Sequence, residues 1–151
     1  LLQAYEGMPD ALKKRAEGKA GVFDYMQRVG NYNEGNEPSE EIRKRLPPVK
    51  HAVVNSHPIT GEKSLYLDPG TMTGIDGLED ERGRALLAEL TDAATQPEYV
   101  YDHKWRIGDV VMWDNGFLLH KRQAFEASGN RLMKRTIIEL PKERHICPGP
   151  A

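Results

Sequence analysis

Apolar residues recur at helical spacing in two parts of the chain. Near its start, four of them lie three or four positions apart: Tyr5, Met8, Leu12 and Ala16. This spacing predicts a helix, or two short helices, because Pro9 interrupts the run. Residues 79–94 are predicted to form a longer helix, with acidic residues at its N-terminal end and a stripe of Leu86, Leu87, Leu90 and Ala94. We expect this helix to pack on the outside of a sheet.

From residue 52 onward the pattern favours strands. A turn motif that contains Pro58 and Gly61 lies between two strand-like segments, residues 52–54 and 64–67. This arrangement predicts a hairpin. Four further strands are predicted at residues 99–105, 110–113, 117–120 and 132–139. Short strands joined by Gly and Asn turns indicate a mainly β fold with flanking helices, as in a sandwich, jelly roll or barrel.

One polar segment separates the helical start from the β-rich remainder. Residues 31–48 are rich in Asn, Gly, Glu, Pro and Lys. This composition predicts a mobile lid or connecting loop that lies over a site.

Composition limits the classes of partner. Lys and Arg number 21 and Asp and Glu number 23, so a net charge of -2 gives no reason to expect nucleic acid or an anionic membrane surface. A small molecule or another subunit is the expected partner, and homo-oligomerisation stays open. The one cysteine, Cys147, excludes an internal disulfide, which favours a reducing, cytoplasmic compartment. His145 and Cys147 are interpreted as part of a solvated tail rather than a metal pair.

Residues 105–120 carry the most informative motif. The segment reads W-R-x-x-D, then an apolar run, then W-D-N, with His120 five residues after Asn115. A lone histidine at a strand end is usually structural. The order and spacing here, however, resemble the taurine / 2,4-dichlorophenoxyacetate dioxygenase family of iron(II)- and 2-oxoglutarate-dependent dioxygenases. The resemblance implies a double-stranded β-helix, or jelly roll, in which His120 is the distal histidine of a two-histidine, one-carboxylate iron site.

Two arginines in the last predicted strand are candidates for anion binding. Strand side chains alternate between faces, so Arg131 and Arg135 would share one face, roughly 13 Å apart. That separation suits the binding of two different anions, one by each arginine. The alternative for Arg131 is a purely structural role in an internal salt bridge to an acid such as Asp114. The family resemblance implies that Arg131 anchors the remote carboxylate of 2-oxoglutarate and that Arg135 binds the anionic group of the substrate.

A third motif is the hairpin block H-P-x-T-G that starts at His57. We interpret His57 as structural, satisfying the backbone of its own turn. By the resemblance, Thr71 occupies a substrate-facing position at which taurine dioxygenases have an aromatic residue, so a taurine preference is in doubt. Gly74 and Gly116 stand where the family often has arginine, which warns against copying a substrate from relatives.

The remaining iron ligands are missing from this sequence. The facial triad requires a His-x-Asp or His-x-Glu, and none of the five histidines is followed two residues later by a carboxylate. By the resemblance these ligands are expected upstream of Leu1. Residues 1–151 are therefore interpreted as the C-terminal half of a single dioxygenase domain that is inactive by itself.

The resemblance implies a reaction as well as a fold. The expected enzyme uses iron(II), 2-oxoglutarate and O2 to hydroxylate a small anionic organic substrate, such as a carboxylate, sulfonate or sulfate ester, with succinate and CO2 as co-products. The alternative is a non-catalytic β-roll module that binds a small anion and has no complete metal triad.

Overall fold

Five helices and five strands make up the regular part of the structure, a computed structural model that describes residues 1–32, 38–123 and 132–144. The helices are α1 (Leu2–Gly7), α2 (Asp10–Ala16), α3 (Tyr25–Tyr32), α4 (Glu40–Arg45) and α5 (Asp80–Ala94). The strands are β1 (Ala20–Phe23), β2 (Val49–Ala52), β3 (Val54–Ser56), β4 (Lys63–Leu65) and β5 (Met72–Ile75). Short 3-10 helices occupy Pro97–Tyr99 and Lys142–Arg144.

The first helical segment is divided as predicted. Pro9 lies between α1 and α2 and caps the second of them. The hydroxyl of Tyr5 donates to Glu17 Oε1 at 2.7 Å, and Lys63 Nζ lies 2.7 Å from the same oxygen. These two donors hold the pKa of the Glu17 carboxyl below its usual value, Lys63 having the larger effect. The shared carboxylate thus links α1 to β4.

A three-stranded antiparallel sheet has the order β2-β1-β5. Strand β1 is central, pairing Gly21 with His51 of β2 on one side and with Ile75 of β5 on the other. The strand predictions did not include β1 or β5, because both are only four residues long and contain glycine, which weakens the strand signal.

The predicted hairpin is confirmed. Strands β3 and β4 pair antiparallel, with Val54 opposite Leu65 and Ser56 opposite Lys63. Gly61 has a φ of 76° in the connecting turn, a conformation that glycine adopts without a Cβ clash.

Helix α5 is also confirmed, and its apolar stripe packs on β5. Leu86, Leu90 and Ala94 are buried in the core, which also contains Leu65 and Met72. Gly83 permits the close approach of helix to strand, because a Cβ built there would lie 3.1 Å from the backbone nitrogen of Ile75.

The four strands predicted after residue 99 are wrong for the described residues. None of the described positions in 100–141 belongs to a strand. Their apolar side chains are largely exposed, Ile107, Val110 and Leu132 being at least 86% accessible. A strand requires a neighbour for its backbone hydrogen bonds as well as a suitable side-chain pattern, and the described residues provide these segments with none.

The segment predicted as a lid or connecting loop, residues 31–48, contains helix α4. Ser39 caps this helix, accepting a hydrogen bond from the Ile42 amide at 3.4 Å. Residues 33–37 lie outside the described part of the chain. The role of this segment as a lid stays a prediction.

Among the described helices, none combines the length and apolar character required to cross a bilayer.

Leu90→Ala is expected to lower the free energy of unfolding by about 2–5 kcal/mol, because Leu90 is fully buried and its removal leaves a cavity. Ile59→Ala provides the control, since Ile59 is 65% exposed and should change stability by less than about 0.5 kcal/mol. Denaturant unfolding of both variants measures the difference. Equal losses would contradict the packing of α5 on the sheet.

Candidate active site

His120 lies in a segment without regular secondary structure that follows the turn at residues 115–117. Its imidazole stacks on the indole of Trp113, with ring centroids 4.7 Å apart and an interplanar angle of 26°. The indole nitrogen of Trp113 donates to Asn115 Oδ1 at 2.9 Å. His120 itself is exposed, so the stack orients the imidazole while leaving it accessible.

The turn before His120 is held by Asp114 and by an aromatic contact. Asp114 Oδ1 accepts from the Gly116 amide at 2.8 Å, and the Asp114 carbonyl accepts from the Phe117 amide at 3.2 Å. Phe117 is buried, and its ring centroid lies 4.5 Å from that of His57. The W-D-N motif therefore forms a turn that is anchored on the β3-β4 hairpin.

The structural role predicted for His57 is confirmed. Its Nδ1 accepts hydrogen bonds from the amides of Ile59 at 3.2 Å and Thr60 at 3.1 Å. Both amides belong to the hairpin turn, so the imidazole replaces backbone partners there.

Asp109, the last residue of the W-R-x-x-D motif, holds a local turn together, as His57 does in the hairpin. Its Oδ2 accepts from the Arg106 amide at 2.9 Å and lies 3.1 Å from Nε2 of His103. The other ring nitrogen of His103 lies 3.0 Å from the hydroxyl of Tyr101. These contacts close the turn that precedes the segment containing Trp113 and His120.

The two candidate arginines differ in what the structure shows of them. Arg131 lies outside the described residues. Arg135 lies in a segment without regular secondary structure, and its side chain is exposed. The prediction that both arginines share a face stays a prediction.

Thr71 is buried and lines a partly open cavity of about 500 Å³ beside the three-stranded sheet and the residues that follow α4. The lining residues come from five separate parts of the chain: Phe23, Tyr25, Leu46, Pro47, Val49, His51, Tyr66, Asp68 and Thr71.

The cavity combines apolar walls with one compensated carboxylate. Asp68 Oδ1 accepts from the Gly70 amide at 2.9 Å, and Oδ2 lies 3.8 Å from the guanidinium of Arg28. Burial raises the pKa of Tyr66, and the charge of Asp68 raises it further. The phenol therefore stays neutral in the ordinary pH range.

Sequence reasoning identified Thr71 but missed the aromatic residues around it. Phe23 belongs to β1, which was not predicted, His51 lies one residue before the strand predicted at 52–54, and Tyr66 was interpreted only as part of the strand predicted at 64–67. Side chains two residues apart in a strand point to the same face, so His51 shares a face with the apolar Val53. This alternation could have indicated that the His51 side chain points inward.

The described residues could supply one ligand of an iron site but not the complete ligand set. They include no group of three or more His, Cys, Asp or Glu side chains that could hold a metal ion. His120 is an accessible imidazole and a suitable single ligand, but no carboxylate of the described chain is placed beside it to complete a facial triad.

Comparison with known proteins assigns the family. The profile described as "Taurine catabolism dioxygenase TauD, TfdA family" matches residues 1–137. The chain belongs to the TauD/TfdA family. The family resemblance expected from the motifs at His57, His120 and Arg131 is thereby confirmed.

Two relatives that the chain matches are named as dioxygenases. The chain is 41% identical over 136 residues to the (S)-phenoxypropionate/alpha-ketoglutarate-dioxygenase of Sphingobium herbicidovorans, covering 86% of this chain and 47% of that protein. It is 36% identical over 135 residues to the alpha-ketoglutarate-dependent 2,4-dichlorophenoxyacetate dioxygenase of Burkholderia sp. strain RASC, covering 87% and 44%.

A solved structure supports the same assignment. AAD-2 in complex with Mn(II) and N-oxalylglycine superposes with a TM-score of 0.63 at 32% identity, covering 70% of this chain and 41% of that one. The chain thus spans under half the length of each of these three relatives.

His57→Ala is expected to accelerate amide exchange at Ile59 and Thr60, because both lose their acceptor, at a net cost of about 0.5–1.5 kcal/mol per bond. His57→Asn is the matched control, since an asparagine oxygen can accept from the same turn. Hydrogen exchange measures the turn. Unchanged exchange at both amides in His57→Ala would contradict the structural role.

Proposed function

We propose that the whole protein is an iron(II)- and 2-oxoglutarate-dependent dioxygenase that hydroxylates a small anionic organic substrate and releases succinate and CO2. The observation that carries this proposal is membership of the TauD/TfdA family across residues 1–137, a span that includes His120, Arg131 and Arg135. The residues that bind and orient the reactants can be assigned from the motifs and the described geometry.

His120 is proposed as one iron ligand, with two further ligands that this sequence does not contain. Iron(II), when bound, would supply oxygen activation and the oxidative decarboxylation of 2-oxoglutarate. Trp113 supports the orientation of the imidazole by stacking on it, and Asn115 fixes the indole through its 2.9 Å hydrogen bond. Held in this way, His120 needs little rearrangement to bind metal.

A jelly roll is the proposed fold of the whole domain. The apolar segments between residues 100 and 140 have strand-like sequences and exposed side chains, for example Val110 and Ile138. We propose that these segments pair with the remaining strands of the complete roll, which would cover their apolar faces. Residues 31–48 are proposed as its lid or connecting segment, and the cytoplasm is proposed as its location, on the evidence of the single Cys147.

The two arginines are proposed to bind different anions. Arg131 would hold the remote carboxylate of 2-oxoglutarate, and Arg135 the anionic group of the primary substrate, through charge-assisted hydrogen bonds. The exposed side chain of Arg135 has room for such a ligand. Thr71 would contact the substrate from the wall of its cavity. The named relatives act on phenoxy carboxylates, which are small organic anions of the proposed kind.

The second candidate is a non-catalytic β-roll module that binds a small anion. The observation in its favour is that the described residues include no group of three or more His, Cys, Asp or Glu side chains placed to hold a metal ion. The full-length protein decides between the two candidates, because a non-catalytic module would bind 2-oxoglutarate or another anion without any effect of iron.

The first test is anaerobic titration of the full-length protein with iron(II) and 2-oxoglutarate. A visible charge-transfer band is expected, and His120→Ala should abolish it. Arg131→Ala should weaken 2-oxoglutarate binding about tenfold or more, because a charged hydrogen bond is lost. Lys121→Ala, an exposed neighbour of His120, is the control and should leave the band intact. An unchanged band in His120→Ala would contradict the proposed ligand.

The second test separates the two arginines. With 2,4-dichlorophenoxyacetate as the probe, Arg135→Ala should raise the KM for this carboxylate about tenfold or more and leave the KM for 2-oxoglutarate nearly unchanged. Lys134→Ala is the matched control, because the neighbouring residue of an extended segment points the other way. Equal increases in both constants would refute the division of roles.

A further inference from the structure

Residues 113–120 form a loop whose two ends are in contact. The indole of Trp113 stacks on the imidazole of His120, with ring centroids 4.7 Å apart. Within the loop, the Asp114 carbonyl accepts from the amides of Phe117 at 3.2 Å and Leu118 at 3.1 Å. These contacts give the loop a defined internal shape, but they do not fix its position relative to the rest of the protein.

Phe117 attaches this loop to the folded part of the chain. It is the one buried residue among residues 113–120, all of which the structure describes, and 8% of its surface is accessible. Its ring centroid lies 4.5 Å from that of His57, at an interplanar angle of 50°. Its carbonyl also accepts from the backbone nitrogen of Leu1 at 3.3 Å. The position of the loop therefore depends mainly on the contacts of Phe117.

The imidazole of His57 gives the Phe117 ring a fixed partner. Its Nδ1 accepts from the amides of Ile59 and Thr60, and the pairing of β3 with β4 closes the hairpin around it. A ring contact at this distance is favourable and restricts the relative orientation of the two rings. The loop is thus attached to regular secondary structure.

We propose that Phe117 and His57 are positioning residues for the metal ligand: the hairpin holds Phe117, and Phe117 holds the loop that carries His120. The inference rests on the proposed function, since it requires His120 to bind iron. A metal site needs each ligand held within about 0.5 Å of its place, and supporting residues supply that precision. The imidazole of His120 is itself exposed, so its position depends on the loop.

A second contact lies on the other side of His120. Gln123 Nε2 donates to Asp102 Oδ1 at 3.3 Å, and both residues are exposed. A long hydrogen bond between exposed side chains competes with water and contributes little. Because the contact of Phe117 with His57 is the buried one, we expect it to dominate the position of His120.

The first test is anaerobic Mn(II) binding to the full-length protein, with Mn(II) as a probe that accepts the same ligand types as iron(II). Phe117→Ala should weaken Mn(II) binding about tenfold, because the loop loses its attachment. Leu118→Ala is the matched control, since Leu118 is the next residue and is 49% exposed. The control should change the affinity by less than about twofold. Unchanged affinity in Phe117→Ala, or an equal loss in Gln123→Ala, would overturn the proposal.

A second readout uses the metal-free protein and separates positioning from a general loss of structure. In Phe117→Ala, the NMR order parameter of the His120 amide should fall from about 0.85 to below about 0.6, while the amides of β3 and β4 stay near the rigid value. A rigid His120 amide in this variant would contradict attachment through Phe117. Loss of order in both strands as well would show a purely structural role and would also contradict the proposal.

Two substitutions separate the ring contact of His57 from its role in the turn. His57→Asn keeps an acceptor for the turn amides and removes the ring, whereas His57→Phe keeps a ring and removes the acceptor. His57→Asn should weaken Mn(II) binding about three- to tenfold and leave amide exchange in the turn unchanged. His57→Phe should do the reverse. Equal losses of Mn(II) affinity in the two variants would overturn the positioning role of His57.

His120→Ala distinguishes failure of this inference from failure of the proposed function. If His120→Ala weakens Mn(II) binding and Phe117→Ala does not, the ligand assignment stands and the positioning assignment is wrong. If His120→Ala leaves the Mn(II) affinity unchanged, the ligand assignment itself is wrong, and the positioning assignment falls with it.

Discussion

The central position of β1 in its sheet is the constraint on which the candidate site depends. This strand pairs with β2 on one side and β5 on the other, and so joins segments that lie roughly 30 and 50 residues further along the chain. The pairing brings Phe23 beside His51 and places the residue before β5, Thr71, in the same cavity. Without this strand pairing, Phe23, His51 and Thr71 would not line the same cavity.

Packing on the far side of the sheet holds this arrangement in place. Helix α5 contributes Leu86 and Leu90 to the core, and its Gly83 allows the helix to approach the backbone of β5. Met72 of β5 is buried at the same interface. The lining of the cavity also includes Leu46 and Pro47, which follow the short helix α4.

The sequence predicted elements whose signals are local. The division at Pro9, the stripe of α5 and the hairpin turn at His57 each depend on residues within a few positions, and each is confirmed. Strand β1 was missed because its four residues give little local signal. The strands after residue 99 were predicted from side-chain pattern alone, which cannot supply the neighbour that a strand requires.

Candidate site residues could be predicted from the sequence only where a local motif contains them. Family motifs point to His120 and Thr71, whose roles as metal ligand and substrate contact stay predictions. The aromatic cluster of Phe23, His51 and Tyr66 depends on pairing between distant segments, and no spacing in the sequence indicates it. The stack of Trp113 on His120 gives one motif residue a physical role, because the indole of Trp113 supports the orientation of the imidazole.

The claim that His120 is a metal ligand is tested most directly by a crystal structure of the full-length protein with bound metal and 2-oxoglutarate. We predict that the imidazole of His120 coordinates the metal while remaining stacked on Trp113. A metal ion bound by other residues, with His120 in solvent or packed away from it, would contradict its role as a ligand.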